Sequence, residues 1–310
     1  MPITARFMRP WSRRWRFVVG ALAGGAALAA TGLPRPARAE WLLPLVTEDP
    51  LTIPSGTADV MLGASYSLDP RFPLFTVPGS VHSENLVAAP EIGLRIAAGS
   101  RVEIQAGFEM LYLDAELANG QTQSNYGAGD ATLSTKVRLF EQSGWRPAVG
   151  IRFGTKLPNA NRSEGLGTDE TDFAIEALGS EHFGPVTAYL NLGIALLGVP
   201  GPIFGVQPGG GNGRGQDDLF TYGVALASEW LGRVDEGAWG CRFLGEVVGQ
   251  TGSRFDNDRA AIRGGVQVRH AALTLYTGVS GGLESGSETF GVGLGAFYAF
   301  ELERLFGWLD

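Results

Sequence analysis

GDATLSTKVRLFEQSGWRPAVGIRFGTKL, residues 129–157, carries two chemistries on alternate positions. Asp130, Thr132, Ser134, Lys136 and Arg138 form one set, and Ala131, Leu133, Thr135, Val137 and Leu139 form the other. After a Gln-Ser-Gly turn, Arg146, Gly150, Arg152 and Lys156 oppose Trp145, Val149, Ile151, Phe153 and Leu157. Alternation with period two is the mark of extended strands, whose successive side chains point to opposite faces. A soluble β protein has water outside and a dry core. A membrane barrel reverses this, with lipid outside and a wet lumen.

Working outward, the pattern recurs in twelve candidate strands: 57–67, 86–97, 101–113, 129–140, 145–157, 171–182, 186–197, 218–230, 239–249, 259–269, 271–281 and 289–300. Most are longer than the roughly 5–6 residues of soluble strands and match the roughly 9–11 a tilted membrane-crossing strand needs. Segment 101–112 is the cleanest, with Val102, Ile104, Ala106, Phe108, Met110 and Tyr112 opposite Arg101, Glu103, Gln105, Gly107 and Glu109. The connections alternate long (68–85, 114–128, 158–170, 198–217, 250–258, 282–288) and short, as they do when short turns gather at one membrane face and long loops at the other. Tyr66, Tyr112, Trp145, Phe220, Trp230, Trp239, Phe290, Tyr298 and Phe300 fall near strand ends on the apolar face, where a lipid–water boundary suits an amphipathic ring. Strand 239–249 has the weakest pattern, because Leu244 and Val248 share the parity of Arg242 and Glu246.

The expectation is an all-β fold: a closed, antiparallel, up-and-down transmembrane β-barrel of about twelve strands over 57–300. Residues 1–39 read as a cleaved signal peptide, with five arginines in residues 1–17, the apolar run Phe17–Ala30 and an Ala37-Arg38-Ala39 cleavage site. Residues 301–310 read as a periplasmic tail. Residues 40–56 (EWLLPLVTEDPLTIPSG) are either a plug in the barrel or an untied periplasmic lead. Without 1–39 the chain holds 17 Lys/Arg against 32 Asp/Glu, net −15, which argues against nucleic acid as a partner. Cys241 is the single cysteine, so neither a disulfide framework nor a multi-cysteine metal site is available.

The segments GDATLSTKVRLFE (129–141), RPAVGIRFGTKLPN (146–159) and GLGTDETDF (165–173) resemble the outer-membrane transporter family associated with the meta-pathway of phenol degradation. That family is itself a loose relative of the fatty-acid and toluene outer-membrane transporters. The resemblance implies a Gram-negative outer-membrane, porin-like barrel that passes small hydrophobic or aromatic solutes. The sequence departs from the family at Asn159-Ala160 and in ending on Asp310 instead of an aromatic residue.

The solute-path candidates are Asp130, Lys136, Arg138, Arg146, Arg152, Lys156, Glu103 and Glu109. Five of these are cations on two adjacent strands with only Asp130 beside them. They read either as part of a cross-barrel ion-pair network or as a strip that draws in anionic or π-rich solutes. No cofactor or metal is expected, and the acidic runs Thr168–Asp172 and Asp256–Asp258 read as solvated loop charge. GGGNGRG (209–215) lacks the Lys-Ser/Thr of a phosphate loop. His82, His182 and His270 do not fall beside a serine in register, so catalysis is not expected. The rival expectation is a closed barrel that presents its loops to partners and transports nothing.

Overall fold

The computed structural model describes residues 41–69, 81–117, 122–198, 218–232, 234, 238–252, 258–284 and 287–303. The expected signal peptide, Glu40, the 209–215 glycine run and most of the expected tail lie outside these residues.

Twelve antiparallel strands close on themselves. They are β1 (Thr57–Leu68), β2 (Val81–Ala97), β3 (Val102–Leu117), β4 in two segments (Thr122–Ala128 and Ala131–Phe140), β5 (Ala148–Leu157) and β6 (Asp172–Phe183). Then follow β7 (Val186–Leu196), β8 in two segments (Leu219–Ser228 and Leu231–Gly232), β9 (Gly240–Gly252), β10 (Arg259–His270), β11 (Leu273–Gly282) and β12 (Phe290–Glu301). Each strand pairs with the next in the chain, and β12 pairs with β1 from Thr57↔Glu301 to Leu68↔Phe290. Closure removes both sheet edges along the paired length of the strands, so the backbone groups there find partners within the sheet.

Three expected boundaries move. Residues 114–128 are not a loop: β3 runs on to Leu117 and β4 begins at Thr122. Sequence alternation had faded there because Thr122-Gln-Ser-Asn-Tyr is polar on both faces, as suits strands extending beyond an apolar band. The fourth strand is also interrupted at Gly129-Asp130, where it was expected to begin. Finally, β5 starts at Ala148, which leaves Trp145 and Arg146 in the preceding turn, closed by a Ser143–Arg146 bridge.

The outward face is an apolar band around the whole circumference. Leu62 on β1, Ile92 on β2, Ile104 on β3, Leu133 on β4, Phe153 on β5 and Ile175 on β6 are all exposed. Leu192, Val224, Phe243, Ile262, Leu275 and Leu294 continue the band through β12. No folded monomer keeps a continuous apolar belt of this extent against water. Tyr112, Phe220, Phe290, Trp239 and Tyr298 are exposed at its margins as expected. Trp230 is a correction: its ring lies against the guanidinium groups of Arg242 and Arg269, at 4.7 and 4.3 Å. Two cations on the lumen face draw it over the mouth of the barrel. The weak pattern of β9 also resolves. Arg242, Leu244, Glu246 and Val248 are all buried on the lumen side, and Phe243 and Val247 are exposed outside. Leu244 can face inward because the lumen holds an apolar partner for it.

Candidate functional site: the occupied lumen

That partner is the segment preceding β1. Residues 41–56 lie inside the barrel, in the half nearest the short turns, and side chains from around the wall hold them. Leu42 and Leu45 pack with Tyr189, Ala225, Ala227 and Leu244 in one buried apolar cluster. Ile53 is buried beside Ala97. Pro44 presses on β10 and β11 so closely that a Cβ on Gly265 would come within 2.6 Å of its ring, and one on Gly278 within 2.1 Å. Only glycine leaves room for the ring at these two positions.

The Glu246 carboxylate accepts from the amides of Val46 and Thr47, both at 2.9 Å. Gln267 donates to the carbonyls of Trp41 and Leu43 at 2.8 and 2.6 Å, and Arg242 donates to Trp41 at 3.0 Å. Lys136 donates to the Asp49 carbonyl at 3.0 Å, and Glu103 accepts from the Ile53 amide at 2.9 Å. The Asn191 amide, turned so that both its ends are satisfied, accepts from the Glu48 amide at 2.8 Å and donates to the Glu48 carbonyl at 3.1 Å. The Arg95 guanidinium, paired with Asp59, stacks 4.2 Å from the Trp41 ring, which also meets Phe297 edge-on.

Glu48 is the electrostatic centre of the site. In register, Glu103 of β3 faces Lys136 of β4, Lys136 faces Arg152 of β5, and Arg152 faces Glu176 of β6. Glu48 enters this hoop, 3.4 Å from Lys136 and 3.0 Å from Arg152. Lys136 is also 3.2 Å from Glu103, and Arg152 pairs with Glu176. Burial alone would push the Glu48 carboxyl up, but Lys136, Arg152 and Arg95 outweigh it and hold it at about 2. Asp49, next along, is pushed up to about 6 by burial, which Lys136 only partly offsets. The hoop therefore stores a preference for one charged and one weakly acidic carboxyl at adjacent positions.

The eight expected solute-path residues divide into groups. Glu103, Lys136 and Arg152 belong to the hoop. Arg138 lies at the rim, where it pairs with Glu141 and donates to the Ser100 carbonyl. Arg146 is exposed in the turn and lies 5.6 Å over the Phe140 ring, so it is not a lumen residue. Sequence alternation failed at Arg146 because the extended pattern ran on through the turn before β5. Glu109 lies in register opposite Glu91, nearer the long loops.

Asp130 and Lys156 form a separate cluster with Thr168 of the loop before β6 and Asp172, the first residue of β6. Lys156 pairs with Asp130 at 3.3 Å and Asp172 at 2.9 Å and donates to Thr168. Asp130 also accepts from the Ala160 amide at 2.9 Å. Asn159 bridges the break in β4, accepting from Ala131 at 2.7 Å and donating to Gly129 at 2.8 Å. Gly167 sits so close that a Cβ there would meet Asp130 Oδ2 at 2.7 Å. Thr168 and Asp172, read from sequence as solvated loop charge, are thus buried partners of a buried cation. The three quoted sequence segments meet in this cluster, which clamps a loop to a strand break. Beside it Ala88, Leu111, Leu113, Ala115, Ala160 and Leu166 form a second apolar cluster, with the loop packed on the inner wall.

The four inward cations of the expected strip each have an acidic partner. Of the described histidines, His182 contacts Thr187 at 3.0 Å and Glu229 at 3.4 Å on the rim. About two-fifths of the His182 and Glu229 side chains is open to water, 44% and 42%. His82 lies in β2, and its side chain is outside the described set. Among the described residues no group of three or more His, Cys, Asp or Glu is placed to hold a metal ion. Sequence reading missed the seat residues Asn191 and Gln267, which are single polar positions in otherwise ordinary strands.

A closed twelve-stranded barrel with an apolar outer belt, a polar lumen and a segment packed within it is a barrel of the outer-membrane type. No family model matches the chain, and no curated protein does. Among solved structures, the chain resembles an outer membrane channel from Pseudomonas putida F1, with 15% identity over 81% of this chain and 98% of that one and a TM-score of 0.58. It also resembles the translocator domain of the autotransporter NalP from Neisseria meningitidis, with 11% identity over 79% of this chain and 89% of that one and a TM-score of 0.51. At these identities the likeness is one of fold.

Proposed function

We propose that the chain is an outer-membrane channel for small solutes, closed by residues 41–56 and opened when they leave their seat. One observation carries this reading: the half of the lumen nearest the short turns holds a non-strand segment tied to the wall by side chains and joined to the described barrel at β1. Were it displaced, the sheet would keep every strand pairing. The apolar belt supports placement in lipid, and the basic, apolar, Ala-Arg-Ala leader supports export by a cleaved signal peptide. The likeness in fold to an outer membrane channel agrees with this. The resemblance of segments 129–141, 146–159 and 165–173 to the outer-membrane transporter family supports hydrophobic or aromatic compounds as the solutes.

The same contacts favour a second reading, a sealed barrel that transports nothing, because the charges of the hoop are mutually satisfied. Single-channel recording in planar bilayers separates the two. A gated channel shows current steps that become long-lived when seat contacts are removed. A sealed barrel stays silent under every seat substitution that leaves the protein folded and inserted.

A further inference from the structure

The wall grips residues 41–53 mainly by their backbone. Seven residues of the segment, 41, 43, 46, 47, 48, 49 and 53, have a main-chain N–H or C=O bonded to a wall side chain. Those side chains are Glu103, Lys136, Asn191, Arg242, Glu246 and Gln267, from β3, β4, β7, β9 and β10. Main-chain hydrogen bonds provide affinity for any extended peptide, and pockets for particular side chains add selectivity. Here the selective features are also on the wall. There is a Pro44 notch at Gly265 and Gly278, and Gly150 leaves room for the main chain at position 50, whose carbonyl oxygen a Cβ there would meet at 2.8 Å. An apolar recess at Tyr189, Ala225 and Leu244 takes Leu42 and Leu45, and the Lys136–Arg152 pair takes the acid four residues after the proline.

We propose that the lumen is a peptide-binding site occupied in cis. Once residues 41–56 have left, the seat takes an oligopeptide from solution, of roughly a dozen residues, with an apolar start, a turn that carries a proline at its fourth position, and an acid four residues further on. This rests on the reading that the segment leaves its seat, and it adds a ligand class to that reading. The seat holds the peptide across the lumen from β10 to β3, reading its amides in turn, so a bound peptide blocks the channel as the native segment does.

The test uses the protein purified from outer membranes and carrying Leu45→Ala and Glu48→Ala, which weaken the segment and leave the wall untouched. The probes are three synthetic peptides: WLLPLVTEDPLTI (residues 41–53), the same peptide N-methylated at the positions of Val46 and Thr47, and a scrambled version. Block of current by the first peptide is expected, with at least tenfold higher concentrations needed for the other two. Equal block by all three would overturn the inference, as would no block by any of them in a variant that conducts; in both cases the gating reading survives. A folded, inserted variant that carries no current would overturn the gating reading and this inference with it.

Discussion

Lys136 offers the sharpest perturbation, because it is fully buried and its Nζ contacts the segment twice and the neighbouring wall residue Glu103 once. It lies 3.4 Å from Glu48, 3.2 Å from Glu103 and 3.0 Å from the Asp49 carbonyl. Lys136→Met keeps the length of the stem and removes the charge. With the segment seated, Glu103 is then a fully buried carboxylate left with only the Ile53 amide and Gln105 as partners. Removing one partner of a buried ion pair costs about 3–5 kcal/mol, because the other charge is left uncompensated. The penalty falls on the seated state, since a departed segment lets water reach Glu103. At about 1.4 kcal/mol per factor of ten, the unseated-to-seated ratio rises by about 10²–10³-fold. Long openings in planar bilayers and protease cleavage within 41–56 read this ratio directly. Adding Glu103→Gln removes the stranded charge and is expected to restore most of the closed state. An unchanged open probability and cleavage rate in folded, inserted Lys136→Met would refute the idea that this ion pair holds the segment.

Three other outcomes follow from the same geometry. The seated pKa of Asp49, about 6, lies above its ordinary 3.8, so its effect on seating is most favourable below about pH 4 and is lost as pH rises through 6. The groups facing it are Lys136, Arg95, Glu103 and Tyr189. Glu48 acts oppositely: its seated value of about 2 lies below its ordinary 4.5, so its contribution is present above 4.5 and lost as pH falls through 2. Open probability should therefore rise between pH 4.5 and 7, with about 2 kcal/mol in the seating equilibrium over that window; Asp49→Asn should flatten that rise, and a slope that persists in the variant would assign it elsewhere. Gly278→Ala puts a methyl into the Pro44 ring and should open the channel at an overpacking cost of about 1–3 kcal/mol. Gly281→Ala, whose Cβ meets nothing within 4 Å, should be silent in the same recordings. Finally, Lys156→Met strands Asp130 and Asp172 in the loop clamp and should lower the temperature at which the barrel unfolds on heat-modifiability gels. Open probability should stay unchanged, and a normal unfolding temperature would argue against the clamp.

Much of this architecture could be read from the amino-acid order. Period-two alternation through segments such as 101–112 sets which side chains face lipid, because one slip in register would turn a whole strand over. That is why Glu103, Lys136, Arg152 and Lys156 were placed on the lumen side from sequence. The alternation could not show where a strand stops when its turn is also extended, which is how Arg146 came to be misplaced. Nor could it show that Thr168 and Asp172, some dozen residues or more beyond Lys156, return to that lysine.

The sequence by itself therefore determined the barrel, its strand number and the two solvents of its wall, since these depend on patterns local to each strand. Only the tertiary structure decided what the lumen contains. Glu48 finds Lys136 and Arg152 about ninety to one hundred positions away, and Val46 and Thr47 find Glu246 about two hundred away. A Pro, a Glu or a Gly has no local pattern that records such a partner. It becomes a seat residue only when ring closure brings twelve strands around one short segment.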